Sequence, residues 1–127
     1  MGKNNTVLVV EDEALVNQDI TEALRDDGFE ALQAYNGEQA LKFLETVRDI
    51  RVLFTDVNLP GRLNGVELAK VVQIRWPQIE VLVTSAYNRP EIEALDVVAQ
   101  LGRFVQKPYP TGAVTRRIHE IVARQAS

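Results

Sequence analysis

Short apolar runs alternate with helical patterns five times along the chain. Val7-Leu8-Val9-Val10 reads as a buried strand, and Val16, Ile20, Ala23 and Leu24 follow at the i, i+4, i+7, i+8 spacing of one helix face. Gly28 supplies the stop for that helix. Phe29 to Ala34 alternates as a second strand, and Asn36-Gly37 turns the chain into a helix carrying Ala40, Leu41, Leu44 and Val47. Val52-Leu53-Phe54-Thr55 is the third strand. After a loop containing proline and glycine, Leu68, Val71, Val72 and Trp76 mark a third helix that Pro77 ends. Val81-Leu82-Val83 is the fourth strand, and Pro90 suits the first turn of a fourth helix bearing Ile92, Leu95 and Val98. Phe104-Val105 is a short fifth strand, and Val114, Ile118, Ile121 and Val122 stripe the last helix.

Strands separated by helices of this length pair in parallel through right-handed crossovers. They are apolar on both faces, as strands are when helices cover both sides of a sheet. The pattern therefore predicts a doubly wound α/β domain, a five-stranded parallel sheet with five helices. The five units use up the 127 residues, so the chain reads as a single domain.

Composition narrows the chemistry. A net charge of −4 argues against binding nucleic-acid backbone over a broad surface. With no cysteine there is no disulfide, thiol chemistry or cysteine-based zinc site, and the lone His119 excludes a two-histidine metal site. No apolar run approaches a membrane span and no signal-peptide core precedes Val7, so the expectation is a cytoplasmic protein.

In such a sheet, ligands bind beyond the carboxyl ends of the strands, where strand order reverses. The residues standing there are Glu11-Asp12-Glu13 after strand one, Asp56 after strand three, Thr84-Ser85 after strand four and Lys107-Pro108 after strand five. Asp12 and Glu13 could instead serve the positive end of the first helix, and Ser85 could be a turn former. Asp56 has no such alternative, because a loop with Pro60 and Gly61 follows it. Clustered carboxylates without histidine or thiol suit a hard, oxygen-seeking cation, Mg²⁺ above all. A carboxylate beside such a metal can act as nucleophile toward phosphorus, with Lys107 and a hydroxyl neutralising charge.

These residues resemble the receiver domain of bacterial two-component response regulators, chemotaxis receivers included. The elements are Val9-Val10-Glu11-Asp12-Glu13, Thr55-Asp56-Val57-Asn58-Leu59-Pro60 with Asn64-Gly65, Thr84-Ser85-Ala86, and Phe104-Val105-Gln106-Lys107-Pro108. The match runs from about Thr6 to Ala123, which implies one stand-alone receiver domain over 1–127. It also implies a flavodoxin-like strand order of 2-1-3-4-5. By that similarity Asp56 is the phospho-acceptor, Asp12 a direct Mg²⁺ ligand, Asn58 a ligand through its backbone carbonyl, and Glu11 an outer-shell acid. Thr84 and Ser85 compete for the family's hydroxyl position; Ser85 is chosen because an alanine follows it and its distance to Lys107 fits. Lys107 would contact the phosphoryl group, with a cis bond to Pro108, and Phe104 holds the aromatic switch position. Glu11 replaces a common aspartate, and the Pro60–Gly65 loop is one residue longer than usual. Asn58 and Tyr87, each two residues beyond a pocket group, are expected to tune phosphoryl lifetime, Tyr87 by shielding.

The resemblance implies a signalling switch that catalyses only its own phosphoryl transfer and autodephosphorylation. Its donor would be a histidine kinase or histidine phosphotransfer domain, met by Leu15, Pro108, Tyr109 and Pro110, and its downstream target another protein. Glu91, Glu93 and Asp96 on the fourth helix and Arg116, Arg117 and Arg124 on the last could pair in a homodimer. Three other readings compete: a degenerate receiver acting as an adaptor, an Asp-nucleophile phosphatase and a flavodoxin-like FMN binder. The phosphatase lacks its proton donor because Asn58 stands where a second aspartate is needed, and three acids after strand one would repel a flavin phosphate.

Overall fold

The structure, a computed structural model, describes residues 5–85 and 104–125. The elements run β1 (Thr6–Val10), α1 (Ala14–Asp26), β2 (Glu30–Ala34), α2 (Gly37–Thr46), β3 (Ile50–Asp56), α3 (Gly65–Arg75), β4 (Glu80–Ser85), β5 (Phe104–Gln106) and α4 (Thr111–Gln125). All strands are parallel, in the order β2-β1-β3-β4-β5 that the family resemblance implies. Four helices stand among the described residues, and the fourth helix predicted at Ile92, Leu95 and Val98 lies outside them.

Side chains alternate across a strand with period two, and that alternation divides the core. Leu8, Val10, Leu53, Val81 and Val83 meet Ala40 and Leu44 of α2 and Leu68, Ala69 and Val72 of α3. Val7, Val9, Val52, Phe54 and Leu82 meet Ile20 and Leu24 of α1 and Val114, Ile118 and Ile121 of α4. Each of these larger side chains contributes roughly 1.5–3 kcal/mol by leaving water.

Local chemistry sets the helix ends. Asn36 caps α2 by accepting the Gln39 N–H at 2.8 Å. Asn64 and Glu67 form a reciprocal capping box at α3, with bonds of 2.9 and 3.1 Å. Gly28, at φ +93°, takes the left-handed conformation that stops α1.

The face of α1 differs from its predicted stripe. Asn17, Ile20, Thr21 and Leu24 are buried, while Val16 and Ala23 are only half-buried. The helix is turned to bring a polar pair inward, because the chain ends of β1 and β2 leave carbonyls that need donors. The Asn17 amide gives hydrogen bonds of 3.1 Å to the Glu11 carbonyl and 3.0 Å to the Ala34 carbonyl.

Gly65 starts α3 directly beneath the end of β3. A Cβ there would collide with the Asp56 carbonyl and come within 2.8 Å of Val57 Cα. A Cβ at Gly112 in α4 would meet nothing within 4 Å. Gly65→Ala is therefore expected to cost about 1–3 kcal/mol in urea unfolding through overpacking. Gly112→Ala should be neutral or stabilising by up to about 1 kcal/mol. Equal effects would contradict the close-approach reading.

Candidate functional site

Parallel strands place their carboxyl ends along one edge, and Glu11, Asp12, Asp56 and Lys107 gather there. Glu11, just past β1, is only 2% exposed. Its Oε1 accepts from Lys107 Nζ at 2.7 Å and its Oε2 from the Glu13 N–H at 2.9 Å. Asp56 is the last residue of β3 and 5% exposed. Its Oδ2 accepts from Lys107 Nζ at 2.6 Å and its Oδ1 from the Asn58 N–H at 2.9 Å. Asp12 is exposed at the rim, and carboxylate oxygens of Glu11, Asp12 and Asp56 lie within 4.8 Å of one another. Glu13, also exposed, comes to 3.5 Å from Lys107 Nζ.

The acids after β1 do not serve as caps for α1. That helix begins at Ala14, has no acid in its first turn, and its N-cap Glu13 makes no side-chain cap bond. The chain instead folds Glu11 inward toward the lysine. Lys107 is held by its own backbone, whose N–H donates to the Ser85 carbonyl at 2.9 Å, and the Lys107-Pro108 bond is cis.

Thr84 is the register partner of Asp56 on β4, and both Thr84 and Ser85 are buried. Alternation puts Ser85 on the side of Val81 and Val83, the side against which half-buried Phe104 packs. Thr84 falls on the side of Leu82, and its hydroxyl is buried without a hydrogen-bond partner. Asn58 is exposed on the loop after β3. Tyr87 and the acids Glu91, Glu93 and Asp96 lie outside the described residues.

Two features were not read from the sequence. The longer Pro60–Gly65 loop is anchored to α2, where Glu38 Oε2 accepts the Arg62 N–H at 2.9 Å. Backbone N–H groups of Glu38 itself and of Arg62 hold the Glu38 carboxyl below the ordinary glutamate range. Tyr109, expected at the partner surface, is half-buried and lines the groove along Pro108; its hydroxyl turns into the protein and its ring meets Phe54 edge-on at 6.0 Å. Burial, and secondarily the charge of Glu11, pushes that phenol up to about 12. Beside it a groove of about 290 Å³ is lined by residues including Val16, Pro108 and Thr111. Leu15 is 76% exposed.

Burial is the main cause that pushes Glu11 up to about 7, and the charge of Asp56 adds to it; the Lys107 hydrogen bond and the Glu13 N–H act the other way. For Lys107, burial favours the neutral amine, but hydrogen bonds to Asp56 and Glu11 outweigh it and leave the ammonium above the ordinary lysine range. Glu11, Glu13 and Asp56 each come within 3.5 Å of one ammonium, and Asp12 stands beside them. A donor set of oxygens alone, with one acid at the rim, fits Mg²⁺, which takes one or two carboxylates and keeps waters. Among the described residues no helix is long and apolar enough to cross a membrane.

A family model, that of the response regulator receiver domain, matches residues 7–119. The chain is 35% identical over 103 residues to a cyclic di-GMP phosphodiesterase of Thermotoga maritima, covering 81% of this chain and 27% of that protein. It is 29% identical over 108 residues to the sporulation initiation phosphotransferase F of Bacillus subtilis, covering 84% of each. It spans about a quarter to a half of the length of the first three curated relatives it matches. A receiver domain from Clostridium thermocellum superposes with a TM-score of 0.84 at 24% identity, covering 96% of this chain and 97% of that one.

The pocket charges make stability depend on pH. An ordinary glutamate ionises near 4.5, whereas Glu11 in the fold does so at about 7. Between those values the folded protein holds a proton that the unfolded chain has released. The Glu11 contribution is thus whole below the lower value and lost as pH rises through the upper one. Lys107 stays charged across this window and adds no slope. Without divalent cation, the melting temperature is expected to fall between about pH 5 and pH 7.5, and to fall less in Glu11→Gln. Parallel curves for the two proteins would contradict this.

Proposed function

The chain belongs to the response regulator receiver domain family, and from that membership we propose that it is a phosphorylation-dependent switch whose Asp56 takes a phosphoryl group from a histidine kinase or histidine phosphotransfer domain. The observation that carries this reading is the pairing of a nearly buried strand-end carboxylate with Lys107 Nζ at 2.6 Å, beside two further acids. A relative of matching length is named a phosphotransferase, which supports it.

An Asp56 carboxylate oxygen attacks phosphorus, the bond from phosphorus to the donor imidazole nitrogen breaks, and its electron pair leaves with that nitrogen. Asp12, Asp56 and the Asn58 backbone carbonyl would hold Mg²⁺, with Glu11 in its outer shell. Once bound, the ion supplies charge neutralisation at the phosphoryl oxygens. Lys107 would exchange a carboxylate partner for one of those oxygens, keeping its charge beside the group. The Ser85 hydroxyl would donate to another, and Phe104 would turn inward as Ser85 shifts, remodelling the face that a downstream protein reads. Water attack later releases the group, with Asn58 and Tyr87 setting the lifetime. Exposed Leu15 and the groove along Pro108 offer the donor's helices an apolar contact, in a cytoplasmic setting. A homodimer through the helix predicted at Ile92, Leu95 and Val98 and through α4 is a further consequence of this reading.

The test is incubation with acetyl phosphate and Mg²⁺, read by intact mass. One phosphoryl adduct is expected, absent in Asp56→Asn and with a chelator, and lost faster in Tyr87→Ala. A chain left unmodified by both acetyl phosphate and a phosphorylated phosphotransfer domain would point to the adaptor reading.

A further inference from the structure

Asn17 belongs to neither the core nor the pocket as a chemical group, yet it is wholly buried. Its amide N–H₂ spends both protons on backbone carbonyls, those of Glu11 at 3.1 Å and Ala34 at 3.0 Å. Its Oδ1 accepts from Gln33 Nε2 and from the Thr21 hydroxyl, each at 3.0 Å. The same hydroxyl lies 2.7 Å from the Asn17 carbonyl, so one proton is shared between two acceptors. All the hydrogen-bonding capacity of the side-chain amide is in use, which fixes which way it points. The Ala34 carbonyl also takes the Glu11 N–H at 3.0 Å. Glu11 is therefore tied at both its N–H and its carbonyl.

That tie bears on the acids. Glu11, Asp12 and Asp56 crowd together, with Lys107 bonded to the first and the last, and mutual repulsion favours any backbone movement that separates them. The Glu11 carbonyl belongs to the peptide that leads to Asp12, and the Asn17 amide holds it. We infer that Asn17, steadied by Thr21 and Gln33, is a positioning residue that presets the Glu11–Asp12 backbone for Mg²⁺. The inference rests on the receiver reading, since it takes Asp12 as a ligand of that ion. Partners that orient metal ligands are commonly worth a factor of 10–100 in affinity, and a contact made through the backbone belongs at the low end.

The experiment is calorimetric titration of the full chain with MgCl₂, alongside its melting temperature. Asn17→Leu is expected to weaken Mg²⁺ binding by about tenfold. Thr21→Val, which only frees the amide and so guards against an Asn17 variant that fails to fold, should weaken it less. Ile79→Val thins the core at the opposite end of the sheet and should lower the melting temperature with the Mg²⁺ affinity unchanged. Wild-type affinity in Thr21→Val and in any folded Asn17→Leu would overturn the inference while leaving the receiver reading intact. A wild type that takes up no Mg²⁺ would sink both.

Discussion

Lys107 reaches between two nearly buried carboxylates, and the rest of the site depends on that contact. Its ammonium lies 2.6 Å from Asp56 and 2.7 Å from Glu11, short enough for charge-assisted hydrogen bonds of the stronger kind. Without it, acids brought together by the parallel sheet would face one another in a poorly solvated edge. The lysine lowers that cost by pairing with both acids. It is also a cation that can turn to a new anion when one arrives. The contact is thus at once a structural tie and the means by which the site can change partners.

The backbone around the edge is fixed by separate devices. Gly65 lets α3 start against the Asp56 carbonyl, where any Cβ would collide. Glu38 binds the longer loop to α2 through the Arg62 N–H. The Ser85 carbonyl receives the Lys107 N–H, so β4 carries the lysine's backbone beside its own buried hydroxyl. Each device acts through main-chain atoms, and the acids, the lysine and the serine are left to do chemistry with their side chains.

Most of the sheet was legible because its signal is coarse. Runs such as Val7–Val10 and Val81–Val83 separated by helical patterns give parallel pairing, and pairing alone brings Glu11, Asp56 and Lys107 to one edge. The face of α1 was misread because periodicity counts apolar residues, whereas Asn17 and Thr21 are buried for their hydrogen bonds. The inward turn of the Tyr109 hydroxyl gives no sequence signal, because it follows from the ring's edge-on contact with Phe54, a residue distant in the chain. Glu38 gave no signal, since a loop's contact with a helix 24 residues earlier follows from the loop's path alone.

Contact this close makes Glu11 and Lys107 energetically coupled rather than merely adjacent. Urea unfolding of Lys107→Met, Glu11→Gln and the double variant, without divalent cation, measures that coupling. Removing the lysine alone leaves buried carboxylates uncompensated and should cost about 3–5 kcal/mol. Neutralising Glu11 as well should restore part of that, making the double variant more stable than Lys107→Met. A double variant destabilised by the sum of the two single effects would show the two side chains to be independent.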